Sequence, residues 1–222
     1  MKKVFLFLLF LVLPLCNIAY AFDLKGLQPV DPYGVFSTFS AESLPKGKAA
    51  FSGGADISLD PDFYRAVFKT AYGLNDSVEI MMTVPYVFGS DVDDGFEDVA
   101  FGIKHRFFDE GKYGPSLAYI LNGSPPSGRE GLTTGGRYGA GFVVSKRVGP
   151  VNGHLNLFYE KPGDGDLKTE ISFLAGLDFA AAHNFKLLGE LYCRRSHDSK
   201  KLDLVEGRIG YRFRTTDFIY TS

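Results

Sequence analysis

The chain has 222 residues, 45% hydrophobic and 23% charged, with a formal net charge of −2. So small a charge argues against a nucleic-acid partner, and two cysteines cannot build a disulfide framework. Gly at 26 residues, together with 15% aromatics, disfavours a helical bundle, because each Gly costs a helix interior about 1 kcal/mol.

Lys2 and Lys3 precede an apolar run over 4–15, and Ala19-Tyr20-Ala21 places small residues at the two positions a signal peptidase reads. That order predicts a secretory signal peptide over 1–21 and a mature chain starting at Phe22. Lipidation at Cys16 is opposed by the bulk of Leu15 before it. Removing the leader leaves 22 basic against 26 acidic residues, a net charge of −4, with Cys193 alone. All 26 Gly then fall in 201 residues, about 13% against a usual share of roughly 7%. A lone exported thiol is read as a small apolar residue rather than a nucleophile. The segment 22–47 comes next and is expected to be periplasmic.

From residue 49 onward the hydrophobic period is two. Ala49, Phe51, Gly53, Ala55 and Ile57 oppose Ala50, Ser52, Gly54 and Asp56. Tyr64, Ala66, Phe68, Thr70 and Tyr72 oppose Arg65 and Lys69; Val78, Ile80, Met82, Val84, Tyr86 and Phe88 oppose Glu79, Met81 and Thr83. Val99, Phe101, Ile103, His105 and Phe107 oppose Asp98, Gly102, Lys104 and Arg106. The pattern continues through Leu117, Tyr119 and Leu121, then Tyr138, Ala140, Phe142 and Val144, then Leu155, Leu157 and Tyr159 against His154, Asn156 and Glu160. It ends with Leu167 to Phe179 against Lys168, Glu170 and Asp178, with Leu187 and Leu191 against Lys186 and Glu190, and with Val205, Ile209, Tyr211 and Phe213 against Glu206, Arg208 and Arg212. About ten strands joined by polar or Gly-rich turns make an all-β, antiparallel up-and-down meander.

Such a meander closes either as a soluble barrel with the apolar face inside or as a membrane barrel with that face outside. The opposite faces carry charges of both signs, and a charge facing lipid near the midplane costs roughly 2–4 kcal/mol. The segments match the 9–11 residues a crossing strand needs, and Tyr and Phe cluster near their ends. Export, length and aromatic placement favour a transmembrane β-barrel of about 10–12 strands over 48–222.

The run Ala71-Tyr72-Gly73-Leu74-Asn75-Asp76-Ser77-Val78-Glu79-Ile80, then Val84-Pro85-Tyr86, then Gly95-Phe96-Glu97-Asp98-Val99-Ala100-Phe101-Gly102-Ile103-Lys104 carries a resemblance, with Pro45-Lys46-Gly47 and Pro125-Pro126-Ser127-Gly128 beside it. Across roughly 45–213 the chain resembles the bacterial outer-membrane barrels grouped as "meta-pathway of phenol degradation"-like or transporter-like proteins. The resemblance implies the fold and an outer-membrane location. Outer-membrane lipid, lipopolysaccharide and the barrel-assembly machinery are then the expected partners. This chain departs from the pattern at its end: 217–222 reads as the start of an eleventh strand, where barrels of this kind close on a terminal aromatic. Barrels have even strand numbers, so either 33–40 supplies an extra strand or the C-terminus is incomplete.

Asp91, Asp93, Asp94, Glu97 and Asp98 are acidic enough for calcium but lack a calcium-loop spacing, so a solvated loop is expected. His105, His154, His183 and His197 have no metal-ligand spacing, and nothing in the spacing selects Ser145 or Ser172 as a nucleophile for His154. No catalytic, metal or cofactor residues are assigned, and no enzyme is expected. The lumen-lining candidates are Arg65, Lys69, Glu79, Asp98, Lys104, Arg106, Lys168, Glu170, Asp178, Glu190, Glu206, Arg208 and Arg212. They suit a channel or transporter for a small solute, hydrophobic or aromatic. The alternatives are a structural envelope barrel with its lumen plugged by ion pairs and a soluble periplasmic binding barrel.

Overall fold

The computed structural model describes residues 26–59, 62–89, 94–196, 199 and 201–222, so the leader expected over 1–21, with Cys16 and the start at Phe22, lies outside the described residues. Two short strands come first, β1 (Gly34–Val35) and β2 (Thr38–Phe39). Then follow β3 (Ala49–Leu59), β4 (Asp62–Gly73), β5 (Val78–Phe88), the short β6 (Gly95–Phe96), β7 (Ala100–Phe108), β8 (Ser116–Ser124) and β9 (Arg137–Val148). The chain continues through β10 (Val151–Pro162), β11 (Glu170–Ala182), β12 (Phe185–Arg195), β13 (Leu204–Arg214) and the short β14 (Tyr220–Thr221).

Sequence neighbours pair antiparallel to form one twelve-stranded sheet, running from β14 through β13 and on to β4 and β3, with β6 added beside β5. Its ten long strands of 9 to 13 residues are those the alternation predicts. The ladder does not close: β3 and β14 are its two ends. Residues 33–40 add no strand to this wall, since β1 and β2 pair only with each other, Gly34 opposite Phe39. At the other end, Phe213 faces Thr221 and Arg214 faces Tyr220, the beginning of an eleventh neighbour to the ten long strands.

Turn chemistry holds the strands in register. Between β4 and β5, Asn75 Oδ1 accepts from Ser77 N and Val78 N, both at 2.8 Å, closing the turn locally as Asn side chains do. Gly73 has no alternative there, because a Cβ would collide with the Pro45 carbonyl oxygen. Between β9 and β10, Gly149 takes φ +59°, the left-handed region that Gly enters without cost.

Burial across this sheet is inverted relative to a soluble fold. On β11, Glu170, Ser172 and Asp178 are buried while Phe173, Leu177 and Phe179 are 41–55% exposed. The same holds on β4, where Arg65 is buried and Tyr64, Phe68 and Tyr72 stand outward. The outward rings meet across strands: Phe51 on Phe68 and Tyr64 on Phe88 are stacked, and Phe107 stacks on Tyr119. An apolar surface running over every long strand far exceeds the few hundred Å² that soluble monomers expose. The outward-parity Lys146, Lys161 and Arg195 all lie near strand ends.

Candidate functional site on the inner face

The inner, polar face does not stand empty. Residues 27–44 carry only Asp31 and Glu42 as charges and, apart from Gln28, are otherwise hydroxyl, small or apolar, a composition that can enter an interior. Within 26–44, Val35, Thr38, Phe39, Ser40, Ala41 and Leu44 are all buried. Residues 26–44 of the segment 22–47 are therefore packed against the sheet, while Pro45, Lys46 and Gly47 are exposed.

The wall is notched to receive it. A Cβ on Gly176 of β11 would lie 2.9 Å from Thr38 Cβ, and one on Gly210 of β13 would lie 2.8 Å from Phe36 Cζ. A Cβ on Gly102 of β7 would collide with Leu27. Part of the Gly excess is thus space for another segment of the same chain.

Hydrogen bonds then fix the segment strand by strand. Gln28 N donates to Thr83 Oγ1 on β5 at 3.0 Å. Ser37 N, Thr38 N and Thr38 Oγ1 all donate to Glu190 Oε2 on β12, at 2.9, 2.7 and 2.6 Å. Arg208 of β13 holds the other oxygen of Glu190 at 2.9 Å and also reaches Ser37 Oγ and Glu206. Asn156 of β10 accepts from Phe39 N at 2.6 Å and donates to Phe39 O at 2.9 Å. Lys104 of β7 donates to the carbonyls of Ser40 and Glu42 and pairs with Glu79 at 2.8 Å; Glu79 accepts from Leu44 N at 2.7 Å. Arg212 of β13 donates to the carbonyls of Pro32 and Gly34 and to Asp31, whose other oxygen accepts from Ser52 Oγ of β3 at 3.2 Å. One carboxylate therefore links β3, at one end of the open sheet, to β13, the neighbour of the other end strand.

Most of the predicted lining residues come together here. Glu79, Lys104, Glu190, Arg208 and Arg212 touch the segment, Glu206 supports Arg208, and Lys69 faces Asp31 and Asp56. Arg65 pairs with Glu97 at 2.6 Å, and Glu170 accepts from Ser172. Three are placed elsewhere, the first being Asp98, between β6 and β7 on the loop 125–136. Arg106 sits at the β7 end on Asp109 and the Asp76 carbonyl, and Lys168 is exposed in the loop before β11.

Asp178 belongs to a relay that spacing alone does not select. Ala41 N donates to Ser145 Oγ at 2.8 Å, Ser145 Oγ lies 2.7 Å from His154 Nδ1, and His154 Nε2 lies 3.8 Å from Asp178 Oδ2. Lys186 anchors Asp178 at 2.9 Å. The order is that of a serine nucleophile, but Ser145 is 2% exposed beneath the segment, so in this arrangement it serves as an acceptor for main chain. Sequence reasoning also passed over Asn156, Asn122, Arg137 and Arg194. The first two are neutral, and the last two sit at strand ends, yet Arg137 pairs with Glu160 and Asn122 bonds the same carboxylate. Parity already put His154, Asn156 and Glu160 on the polar face.

Asp98 plays a different part. It lies between β6 and β7 and gathers the loop 125–136: Oδ1 accepts from Ser127 N, Gly128 N and Thr133 Oγ1, and Oδ2 from Thr134 N and Oγ1. Burial raises its pKa, and the hydrogen bonds from Thr134, Thr133 and Gly128 outweigh that, leaving the carboxyl below its ordinary 3.8. Within the acidic cluster Glu97 is held by Arg65 and Asp94 accepts from Gly89 N, while Asp91 and Asp93 lie outside the described residues, as does His197. With a depressed folded-state pKa, the hold is complete above pH 3.8 and is lost as pH falls through the lower folded value. Amide protection at Gly128 and Thr134 should therefore persist at neutral pH, collapse in acid, and be low at all pH in Asp98→Asn. Unchanged hydrogen-exchange protection in that variant would remove Asp98 from this role.

Compared with known proteins, the chain matches no protein-family model and no curated protein sequence.

Proposed function

We propose that the protein is an outer-membrane β-barrel through which a small solute passes, closed in the resting state by its own residues 26–44. The observation that carries this reading is the inverted sheet, with Phe, Leu and Tyr outward on every long strand and Arg65, Glu79, Lys104, Asp178 and Glu190 inward. Water would not tolerate so broad an apolar exterior, and lipid would not tolerate the charges if the faces were exchanged. The Asp31 link from Ser52 to Arg212 supports closure, since it brings β3 and β13 within reach of one side chain. The sequence resemblance to outer-membrane barrels points the same way, with lipopolysaccharide and lipid as surroundings and the barrel-assembly machinery as the partner that inserts the chain. Carboxylates, amides and guanidinium groups on the inner face suit a hydrogen-bonding solute better than a hydrocarbon one.

Fractionation should recover the protein with the outer membrane, released by detergent only; release without detergent overturns the membrane reading. In planar bilayers it should give brief, discrete conductance steps as the segment leaves and returns. A bilayer that stays sealed to every ion and solute tried overturns transport. It would leave the second reading, a plugged structural barrel, which the bonding of the segment to seven strands favours.

A further inference from the structure

Over 37–44 the inner face grips main chain more than side chains. The amides of Ser37 and Thr38 reach Glu190, those of Phe39, Ala41 and Leu44 reach Asn156, Ser145 and Glu79, and the carbonyls of Phe39, Ser40 and Glu42 are taken by Asn156 and Lys104. Asn156 is the most telling. Its side-chain amide gives and takes one hydrogen bond with a single residue, the pattern a neighbouring β-strand presents. Any peptide main chain offers the same donors and acceptors, whatever its sequence, whereas an aromatic or aliphatic hydrocarbon offers none of them.

Side-chain space adds a preference. The Phe39 ring packs on Phe158 with centroids 5.5 Å apart, and Thr38 lies over the bare backbone of Gly176. An aromatic residue next to a small one therefore fits this stretch.

We propose that the inner-face groups now holding 37–44 form a binding site for short peptides held by their main chain, with the N-terminal segment as its resident occupant. This rests on reading the interior as a solute path and names the class of solute. A tethered occupant acts at a local concentration in the millimolar range, so added peptide cannot displace it from the parent protein. The test uses the full chain carrying Ser37→Pro, Phe39→Pro and Ala41→Pro together, which deletes three donors on the segment and leaves the wall untouched. The probe is a fluorescent peptide with the sequence of residues 37–44, in detergent, read by anisotropy.

The triple variant should bind the peptide saturably and the parent should not. N-methylation of the peptide at the Ser37, Phe39 and Ala41 positions should weaken binding about tenfold or more, given ordinary hydrogen-bond strengths. Adding Asn156→Ala should weaken it similarly. No saturable binding, equal binding by the parent, or indifference to N-methylation overturns the proposal. So does a triple variant that chymotrypsin cuts after Tyr33 no faster than the parent, because main-chain bonds would then not be what holds the segment. These readings need no bilayer, so a failure of membrane transport is scored separately.

Discussion

Replacing Lys104 with Met is expected to cost about 3–5 kcal/mol of stability, the range seen when one member of a buried ion pair is removed. Lys104 and Glu79 are 1% and 2% exposed, and their atoms meet at 2.8 Å. The ammonium also satisfies the carbonyls of Ser40 and Glu42, so its loss leaves a buried carboxylate and two carbonyls short of a donor. Leu44 N would remain on Glu79, one neutral donor against a full charge. The double variant Lys104→Met, Glu79→Gln should recover most of the loss, since removing both charges avoids the uncompensated one. Urea unfolding followed by far-UV circular dichroism reads the difference, the chain having no Trp for fluorescence. A loss under about 1 kcal/mol in the single variant would mean that water reaches Glu79 and that the interior is not sealed there.

Gly176→Leu is expected to expel the middle of the N-terminal segment. The first added carbon already lies 2.9 to 3.1 Å from three atoms of Thr38, which is fully buried and has nowhere to retreat. Overpacking costs typically 1–3 kcal/mol, and relieving it by withdrawal sacrifices the three bonds to Glu190. Glu190 keeps Arg208 at 2.9 Å, so the wall can survive that withdrawal. Chymotrypsin should then cut at Phe36 and Phe39, both protected in the parent, and bilayer conductance should rise about tenfold if the fraction of open protein rises with it. Full protection of both sites would show that the segment is a fixed core element and would count against gating.

The wall was legible because its signal is local and repeated. Alternation over 49–57, 64–72 and 78–88 put the charged and apolar residues on opposite faces, and the structure keeps that division on every long strand. The inner segment is not legible, because nothing in 26–44 has a period: Pro29, Pro32 and Gly34 interrupt it, and its partners on the wall lie 21 to 181 residues away. Charge marks Glu79, Lys104 and Glu190 on the polar face, whereas Asn156 is neutral, and no spacing links Ser145 to the main chain of Ala41 that it accepts from. Lys168 was placed inward by extending the β11 alternation past its start at Glu170, where the chain is already a loop. Gly176 and Gly210 could be read as small inward residues, but what they make room for depends on another part of the chain.

Asp31 has a consequence for the order of assembly. Its bond to Ser52 closes a stretch of 21 residues, while its bond to Arg212 closes one of 181. On loop-closure entropy alone the longer closure is about 2 kcal/mol the harder of the two. Half of the carboxylate's grip is thus available as soon as β3 emerges, and the other half waits until β13 has been laid down. The N-terminal residues can be caught early but are locked only by the last long strand. The chain accordingly carries its own mark of completion, set at one end by the arrival of the other.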